Sequence, residues 1–374
     1  MGKLIQTPAL VLIDIIISLF LFLLTYKALH GKSFTRSRII FVYSLILLFC
    51  LFSFWGADWF GYQSYFELAK NSYYANIPME EFYIWLVEKA CGSYIVFRLV
   101  VWGISIIFFC LTARNLRCNV GLILFFFCNI YLIYFSYARV TLAISMMFYG
   151  YSCLWTARNS KKILTIIWGL FWIFLSFFFH KSAILGISSI ILAIFVERMG
   201  KISLKLLLVS FPIIVFLLNT FFSNYFTIIA SSEGTFSEYA NAGAGYLESS
   251  NSTLGISTIL SWMLERTPYY LLAFAAYMEL LHPQIKHPPI IKAFFAVEFM
   301  LIFIASAFLF NIGVETSTLY GRFIRFAQIP SVFIFAYFFE NKIVTRSVKW
   351  ALYIGVFNCV YSLLYSFYNV STTI

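Results

Sequence analysis

Charged residues are scarce in this chain. Asp, Glu, Lys and Arg make up 11% of its 374 residues, whereas hydrophobic residues make up 62%. Soluble domains carry roughly 25% charged residues, so this composition excludes an ordinary water-soluble fold. The formal net charge is +11, but the basic residues stand in short loops between apolar runs. That placement is typical of the cytoplasmic loops of membrane proteins, and nucleic acid is therefore not an expected partner.

The sequence also lacks the motifs that hold nucleotides or metal ions. It contains no GxxxxGK(S/T), HExxH, GxSxG or DxD motif, and its seven cysteines include no CxxC pair. We therefore expect no metal ion, no other cofactor and no disulfide framework. An enzyme with this sequence would have to use a lipid-borne donor, with basic side chains in place of a metal.

What the chain has instead is a series of apolar runs separated by short polar breaks. Because a bilayer core of about 30 Å takes around 20 helical residues to cross, these runs predict about twelve transmembrane helices. We place the spans at residues 8–26, 39–55, 94–112, 120–135, 140–155, 163–179, 182–197, 206–222, 256–281, 290–310, 322–339 and 350–368. The sequence thus predicts an all-α polytopic membrane protein with one integral membrane domain over residues 1–374. Its first run is expected to be a retained helix and not a cleaved signal peptide.

Loop charge predicts the orientation of these spans. If the amino terminus is outside, most of the 26 basic residues fall in alternate loops, as the positive-inside rule requires. These inner loops are at residues 27–38, 114–117, 158–162, 198–205, 286–292 and 342–349. Large outer loops then follow the second and the eighth spans. The segment at 56–93 is aromatic and acidic and is expected to lie on the membrane surface, and the Ser- and Gly-rich segment at 223–255 is expected to be mobile.

Charged side chains near the outer ends of the spans are the candidate functional residues, because a charge at membrane depth costs about 3 kcal/mol. They are Asp58, Arg98, Arg139, His180, Lys181, Glu265, Arg266, Arg322 and Arg325. Arg322 and Arg325 are expected to open the eleventh span and to share one helix face, which suits two groups that grip one anion. The alternative interpretation is that the basic residues reach the lipid headgroups, that His180 packs inside the fold and that Glu265 merely neutralises Arg266.

Short motifs in this order resemble those of a known family. Residues 58–66, DWFGYQSYF, and residues 80–86, EEFYIWL, are similar to the first outer loop of EpsG-like and Wzy-type bacterial polysaccharide polymerases. Residues 139–143, RVTLA, resemble a helix start of that family. Residues 180–183, HKSA, are similar to its His-x-Ser-Ala segment, and residues 321–323, GRF, to its late Arg-aromatic element.

The resemblance implies a GT-C-like helical membrane glycosyltransferase in the bacterial inner membrane, with its active site on the outer, periplasmic side. Such polymerases transfer a growing glycan from undecaprenyl diphosphate to the terminal sugar hydroxyl of a new lipid-linked unit, and they release undecaprenyl diphosphate. The implied partners are the undecaprenyl-diphosphate-linked donor and acceptor, the lipid bilayer, a chain-length regulator and a flippase.

The catalytic roles expected for such a reaction fall on four residues. Arg322, together with Arg325 and with help from Arg139 and Arg266, is expected to stabilise the departing diphosphate, because preorganised guanidinium groups suit that charge. His180 and Asp58 are alternative bases for the acceptor hydroxyl, and the sequence does not choose between them. The predicted substrate-binding residues are Arg325, Arg266, Glu265, Lys181, Arg98, Tyr62, Trp59 and Tyr65, of which the aromatic members are expected to stack on sugar rings.

Two other functional classes stay open at this point. A lipid-linked oligosaccharide flippase or another transporter would carry charges along a path through both leaflets, whereas the strong charges here gather at one side. A membrane acyltransferase would also use a histidine. It would need an inner-face site for its acyl donor, and the inner loops of this chain are short and merely basic.

Overall fold

The computed structural model describes residues 7–53, 63, 66, 91–132, 138–160, 162–180, 183, 191, 194–196, 198–211, 213–214, 256–309 and 316–372. Within these ranges every regular element is helical, which confirms the predicted all-α class. Nearly all of the predicted outer segment 56–93, and all of segment 223–255, lie outside the described residues.

The main helices carry labels in chain order. They are α1 (Pro8–Tyr26), α2 (Arg36–Phe52), α3 (Tyr94–Asn115), α4 (Val120–Phe126), α5 (Ala138–Ser160), α6 (Ile163–Phe179), α7 (Ile256–Leu281), α8 (Pro289–Leu309), α9 (Thr316–Glu340) and α10 (Arg346–Thr372). A 3-10 turn at Lys27–His30 continues α1, and a π-helical turn at Phe127–Tyr131 continues α4. Residues 201–211 are helical as well.

These helices coincide with ten of the twelve predicted spans, and α1, α6 and α7 have the predicted bounds. The spans predicted at 182–197 and 206–222 are only partly described. Among the described residues, five stretches are long and apolar enough to cross a membrane: Pro8–His30, Tyr94–Asn115, Val140–Ala157, Pro289–Ser306 and Arg346–Tyr365. The chain is therefore a polytopic helical membrane protein, and the total of twelve spans stays a prediction.

Short polar side chains explain where several helices begin. Thr7, Thr35, Ser93 and Asn119 are N-caps in extended backbone geometry, and each accepts a hydrogen bond from a backbone N–H two or three residues later. These bonds satisfy N–H groups that have no partner within the helix. Pro8 follows Thr7 at the first helical position, where its missing N–H costs nothing. The polar breaks between apolar runs thus set the helix starts.

The chain divides into two compact units, each of which has its own interior. The first unit contains Met1–Ile190, Phe335–Val344 and Leu352–Ile374. The second unit contains Ile191–Ile334 and Thr345–Ala351. Helices α1 to α6 therefore belong to the first unit and α7 and α8 to the second.

In the first unit, α5 and α6 pack backbone to backbone through two facing glycines. A Cβ added to Gly150 of α5 would lie 2.5 Å from the carbonyl oxygen of Gly169, and one added to Gly169 of α6 would lie 2.7 Å from that of Gly150. Such a close approach needs residues without side chains, as in other helix contacts inside lipid. The rings of Phe108, Tyr149 and Trp172 join α3 to this pair of helices.

The π-helical turn of the first unit carries buried polar groups. Asn129 Nδ2 donates to the Phe125 carbonyl oxygen at 2.7 Å and to Thr25 Oγ1 of α1 at 3.3 Å. The hydroxyl oxygens of Tyr131 and Thr141 are 2.7 Å apart, which connects the turn to α5. Polar groups without water need such partners, so these bonds stabilise the contacts of α4 with its neighbours.

In the second unit, a buried hydrogen bond between Glu279 and His287 holds the connection between α7 and α8. Glu279 Oε2 lies 2.9 Å from Nε2 of His287, and both side chains are buried. The same carboxylate accepts the backbone N–H of Gln284 at 2.9 Å. The rings of Tyr277 and Phe299 stack at 4.6 Å between the two helices. The predicted inner loop at 286–292 is thus tied to the helix ends that it connects.

Candidate functional site

The predicted site residues divide between the two units. Among the described residues, those of the first unit are Arg98, Arg139 and His180, and those of the second are Glu265, Arg266, Arg322 and Arg325. Asp58, Trp59, Tyr62, Tyr65 and Lys181 lie outside the described residues. For Arg139, Arg322 and Arg325 the backbone alone is described. Side-chain geometry is therefore available for Arg98, His180, Glu265 and Arg266.

Arg98 lies near the start of α3, and its side chain is only 2% exposed. Its Nη1 donates a hydrogen bond of 2.6 Å to the carbonyl oxygen of Ser53, the residue that ends α2. The carboxyl end of a helix carries partial negative charge, which favours a cation there. Asp14, buried in α1, also interacts electrostatically with Arg98. The described contacts of Arg98 thus hold α1, α2 and α3 together, and its contact with substrate stays a prediction.

His180 ends α6 and is half-buried. Its backbone is extended, with φ −159° and ψ 124°. The His180 N–H donates to the Ser176 carbonyl oxygen at 3.3 Å, and its own carbonyl oxygen accepts from the N–H of Ala183 at 2.9 Å. The backbone is held on both sides, while partial exposure leaves the imidazole within reach of a second molecule, as a general base requires.

Glu265 and Arg266 are neighbours in α7 and form an ion pair. Arg266 Nη1 lies 3.8 Å from Glu265 Oε2, and the side chains are 15% and 39% exposed, respectively. That separation is longer than a hydrogen bond, so the contact is electrostatic and weak. Pro268 follows within the same helix and removes the N–H that would otherwise bond the carbonyl of residue 264. The pair agrees with the interpretation in which Glu265 neutralises Arg266 locally.

Arg322 and Arg325 lie inside α9, and not at its start as the predicted span had them. The helix begins at Thr316, six residues before the predicted bound. The helix includes these arginines because its own backbone hydrogen bonds continue through a polar turn as readily as through an apolar one. Three residues correspond to about 4.5 Å of helix axis, so the two backbone positions are neighbours on one face.

Arg139 also lies within a helix, one residue before the predicted start of its span at residue 140. It is the second residue of α5, which begins at Ala138. The first turn of a helix carries partial positive charge, and a guanidinium there adds to it. Its contact with an anionic partner stays a prediction.

Besides Glu279, two buried carboxyl groups among the described residues had no predicted role. Asp14 of α1 and Glu298 of α8 both have an exposure of 0%. Glu298 Oε1 lies 2.5 Å from Ser331 Oγ of α9, a residue 33 positions further along the chain. The one sequence signal for these groups is an acidic residue within an apolar run. The partner serine gives no such signal, because serines are common in transmembrane helices.

The helices and the basic residues that they carry define a polytopic α-helical membrane protein with cationic groups on several spans. The chain belongs to the EpsG family, whose family model matches residues 35–373. This match confirms the predicted resemblance to EpsG-like proteins. No curated protein and no solved structure matches the chain. Membership in this family indicates a membrane protein of polysaccharide biosynthesis, of a kind associated with glycosyltransferase-like polymerases.

Proposed function

We propose that this protein is a membrane glycosyltransferase that polymerises undecaprenyl-diphosphate-linked oligosaccharide repeat units. The observation that carries the proposal is the family match over residues 35–373. The reaction takes place on the outer face of the bacterial inner membrane, and the helices form a GT-C-like arrangement of about twelve spans. The proposed reaction is that of Wzy-type polymerases, which make O-antigen, capsule or exopolysaccharide.

The chemistry exchanges one glycosidic bond for another. The terminal hydroxyl oxygen of the lipid-linked acceptor attacks the anomeric carbon of the growing glycan. The bond between that carbon and the diphosphate oxygen breaks, and undecaprenyl diphosphate leaves with the electron pair. The hydroxyl proton passes to a base of the protein. The diphosphate gains negative charge as it leaves, so its stabilisation is the largest task of the site.

Arginine residues suit that task because the guanidinium group is planar, permanently charged and able to bind two oxygens at once. Arg322 and Arg325, one turn apart in α9, bind the diphosphate. Arg139, in the first turn of α5, and Arg266 of α7 assist them.

The base is His180 or Asp58. Half-burial of His180 at the end of α6 supports the first choice, because the ring is accessible while its backbone is held. Trp59, Tyr62 and Tyr65 stack on the sugar rings of the acceptor. Lys181, Arg98 and Glu265 complete the substrate-binding set. The working partners are a flippase, which supplies lipid-linked units, and a chain-length regulator.

Reconstitution tests the proposal directly. The purified chain is placed in vesicles with lipid-diphosphate-linked repeat units and a metal chelator, without nucleotide sugars. We expect a ladder of products that differ by one repeat unit. The control reaction uses the Arg322→Ala variant in the same vesicles.

A transporter would give a different result in the same vesicles. It would move labelled repeat units from one leaflet to the other and leave their length unchanged. Movement without any ladder would therefore contradict the proposed polymerase.

A further inference from the structure

Glu298 of α8 and Ser331 of α9 form a polar pair inside the second unit. Their exposures are 0% and 1%. Glu298 Oε1 lies 2.5 Å from Ser331 Oγ, and Ser331 Oγ also lies 2.7 Å from the carbonyl oxygen of Ala327. The other carboxyl oxygen, Glu298 Oε2, has no hydrogen-bond partner among the described residues.

The short contact between Ser331 and Glu298 is compatible with two arrangements of the hydrogens. Ser331 has one hydrogen, which it can donate either to Glu298 or to the Ala327 carbonyl oxygen, as helical serines commonly do four residues back. With the hydrogen on Ala327, the contact with Glu298 needs a hydrogen on the carboxyl group, which a carboxylic acid has and a carboxylate lacks. The surroundings of Glu298 decide between the two arrangements.

An ionised Glu298 would need a compensating charge. Among the described residues, Glu265 pairs with Arg266 and Glu279 contacts His287, and neither of these contacts includes Glu298. The surroundings are apolar, with the rings of Phe294 and Phe333 stacked nearby, one on each helix. A fully buried carboxylate with one oxygen unpartnered is strongly destabilising in such an interior, and the neutral acid avoids that cost.

We infer that Glu298 is a neutral carboxylic acid that donates its hydrogen to Ser331 and thereby holds α8 and α9 in a fixed register. Helix α9 is continuous from Thr316 to Glu340 in spite of Pro330. Ser331 therefore belongs to the same continuous helix as Arg325 and Arg322, about 9 and 14 Å away along the helix axis. A shift of α9 at Ser331 displaces both arginines.

The consequence for catalysis rests on the proposed function, whereas the protonation state does not. Under the proposed function, Glu298 is a positioning residue. It fixes where α9 places the arginines that bind diphosphate. A displacement of about 1 Å in such groups lowers a reaction rate by about 10²-fold. Infrared spectroscopy therefore tests the protonation state of Glu298, and polymerisation kinetics test its positioning role.

Infrared spectroscopy tests the protonation state without any substrate. The 374-residue chain is reconstituted in vesicles at neutral pH, and its spectrum is compared with that of Glu298→Gln. We expect the difference spectrum to contain the carbonyl stretch of a protonated carboxylic acid. We also expect Ser331→Ala to shift that band, because the acid loses its acceptor. A difference spectrum with carboxylate bands in its place would overturn the inference.

Polymerisation kinetics test the positioning role. Glu298→Gln keeps a donor without a charge, so we expect activity close to that of the unsubstituted chain. Glu298→Leu and Ser331→Ala remove the bond, so we expect kcat to fall about 10- to 100-fold with little change in KM. Ser306→Ala is the matched control, because this serine of α8 bonds with Tyr270 of α7 and not with α9. We expect it to leave kcat unchanged.

The kinetic comparison separates the charge of Glu298 from its positioning role. An inactive but folded Glu298→Gln chain would show that the charge is needed and would overturn the neutral pair. Full activity of Glu298→Leu would overturn the positioning role. If the unsubstituted chain makes no polymer, the proposed function fails, while the infrared result still decides the protonation state of Glu298.

Discussion

Arg98 donates a hydrogen bond from Nη1 to the carbonyl oxygen of Ser53, across 2.6 Å, and this bond joins the start of α3 to the end of α2. The bond thus fixes the distance between the two helix ends that the predicted outer segment 56–93 connects along the chain.

Loss of Arg98 should destabilise the protein. Arg98→Ala removes a buried hydrogen bond with a charged donor, which contributes about 1.5–3 kcal/mol to the free energy of unfolding. We expect a lower midpoint of thermal unfolding in detergent. Arg114→Ala is the control, since Arg114 is an exposed residue in the last turn of the same helix. Equal midpoints for the two variants would contradict the role of the Ser53 contact.

A side chain at Gly150 should separate α5 from α6. The Cβ alone would lie 2.5 Å from the Gly169 carbonyl oxygen and 2.8 Å from Cγ1 of Ile173. We expect Gly150→Leu to lower the free energy of unfolding by about 1–3 kcal/mol or more, because an added side chain strains a filled contact. Chemical denaturation in mixed micelles measures this difference. Gly200→Ala should have no comparable effect, since no atom lies within 4 Å of its added Cβ.

Arg322 should be needed for polymerisation and not for membrane insertion. Removal of one preorganised group that stabilises developing charge typically lowers kcat by about 10²–10³-fold, and we expect this of Arg322→Ala. Arg322→Lys keeps the charge and loses the planar group that binds two oxygens. Its rate should therefore lie between that of the unsubstituted chain and that of Arg322→Ala. Arg346→Ala, an exposed residue in a predicted inner loop, is the control and should polymerise normally. A normal distribution of chain lengths from Arg322→Ala would show that the assignment is wrong.

His180→Ala tests which residue is the base. A general base contributes about 10²–10⁴-fold to a rate, and we expect a loss of that size from the variant together with normal insertion. Asp58→Asn is the comparison, since Asp58 is the alternative base. Single-turnover rates with lipid-linked donor and acceptor separate the two cases. The residue whose replacement leaves the chemical step unchanged is not the base.

Cys118 should be unreactive in the folded protein. It lies between α3 and α4, where burial, together with the nearby carboxylate of Glu340, raises the pKa of its thiol to about 12. The thiolate is the nucleophile, so very little reactive form exists near neutral pH. For a variant that keeps Cys118 as its single cysteine, we expect N-ethylmaleimide to react slowly with the folded chain and quickly in denaturant. Mass spectrometry follows both reactions.

The raised pKa of Cys118 also gives a direction for pH dependence. From the ordinary thiol value of 9.0 up to about 12, the folded chain keeps a proton that the unfolded chain has lost. Stability from this residue is therefore present below that window and falls as pH rises through it. The Cys118→Ala variant should therefore lose less stability than the unsubstituted chain as the pH rises from 9.0 to about 12. Equal alkylation rates for folded and unfolded chains would contradict both statements.

Most helix positions could be predicted from local composition. The predicted runs at 8–26, 163–179 and 256–281 have the same bounds as α1, α6 and α7. In lipid each backbone N–H and C=O needs a partner within its own helix, so a sufficiently long apolar run has little alternative to a helix. The same reasoning explains why α9 contains Pro330 and α7 contains Pro268 without ending there.

The boundaries of α5 and α9 show where composition alone was insufficient. Polar residues were expected to mark the ends of spans, yet α9 begins at Thr316 and includes Arg322 and Arg325, and α5 includes Arg139. Charge reports the polarity of the surroundings, whereas helix formation depends on backbone hydrogen bonds. The two properties diverge wherever a helix extends beyond the apolar layer or faces a polar interior.

Residue order alone determined that this chain is helical and membrane-embedded, which family it belongs to, and which charged residues are candidates, since these properties depend on neighbours along the chain. Tertiary structure decided the partners: Ser53 for Arg98, Gly169 for Gly150 and Ser331 for Glu298. Each partner lies on another helix, and helix packing brings it within reach. A charged residue or a glycine within an apolar helix indicates that a partner is required. The packing of the helices determines which residue that partner is.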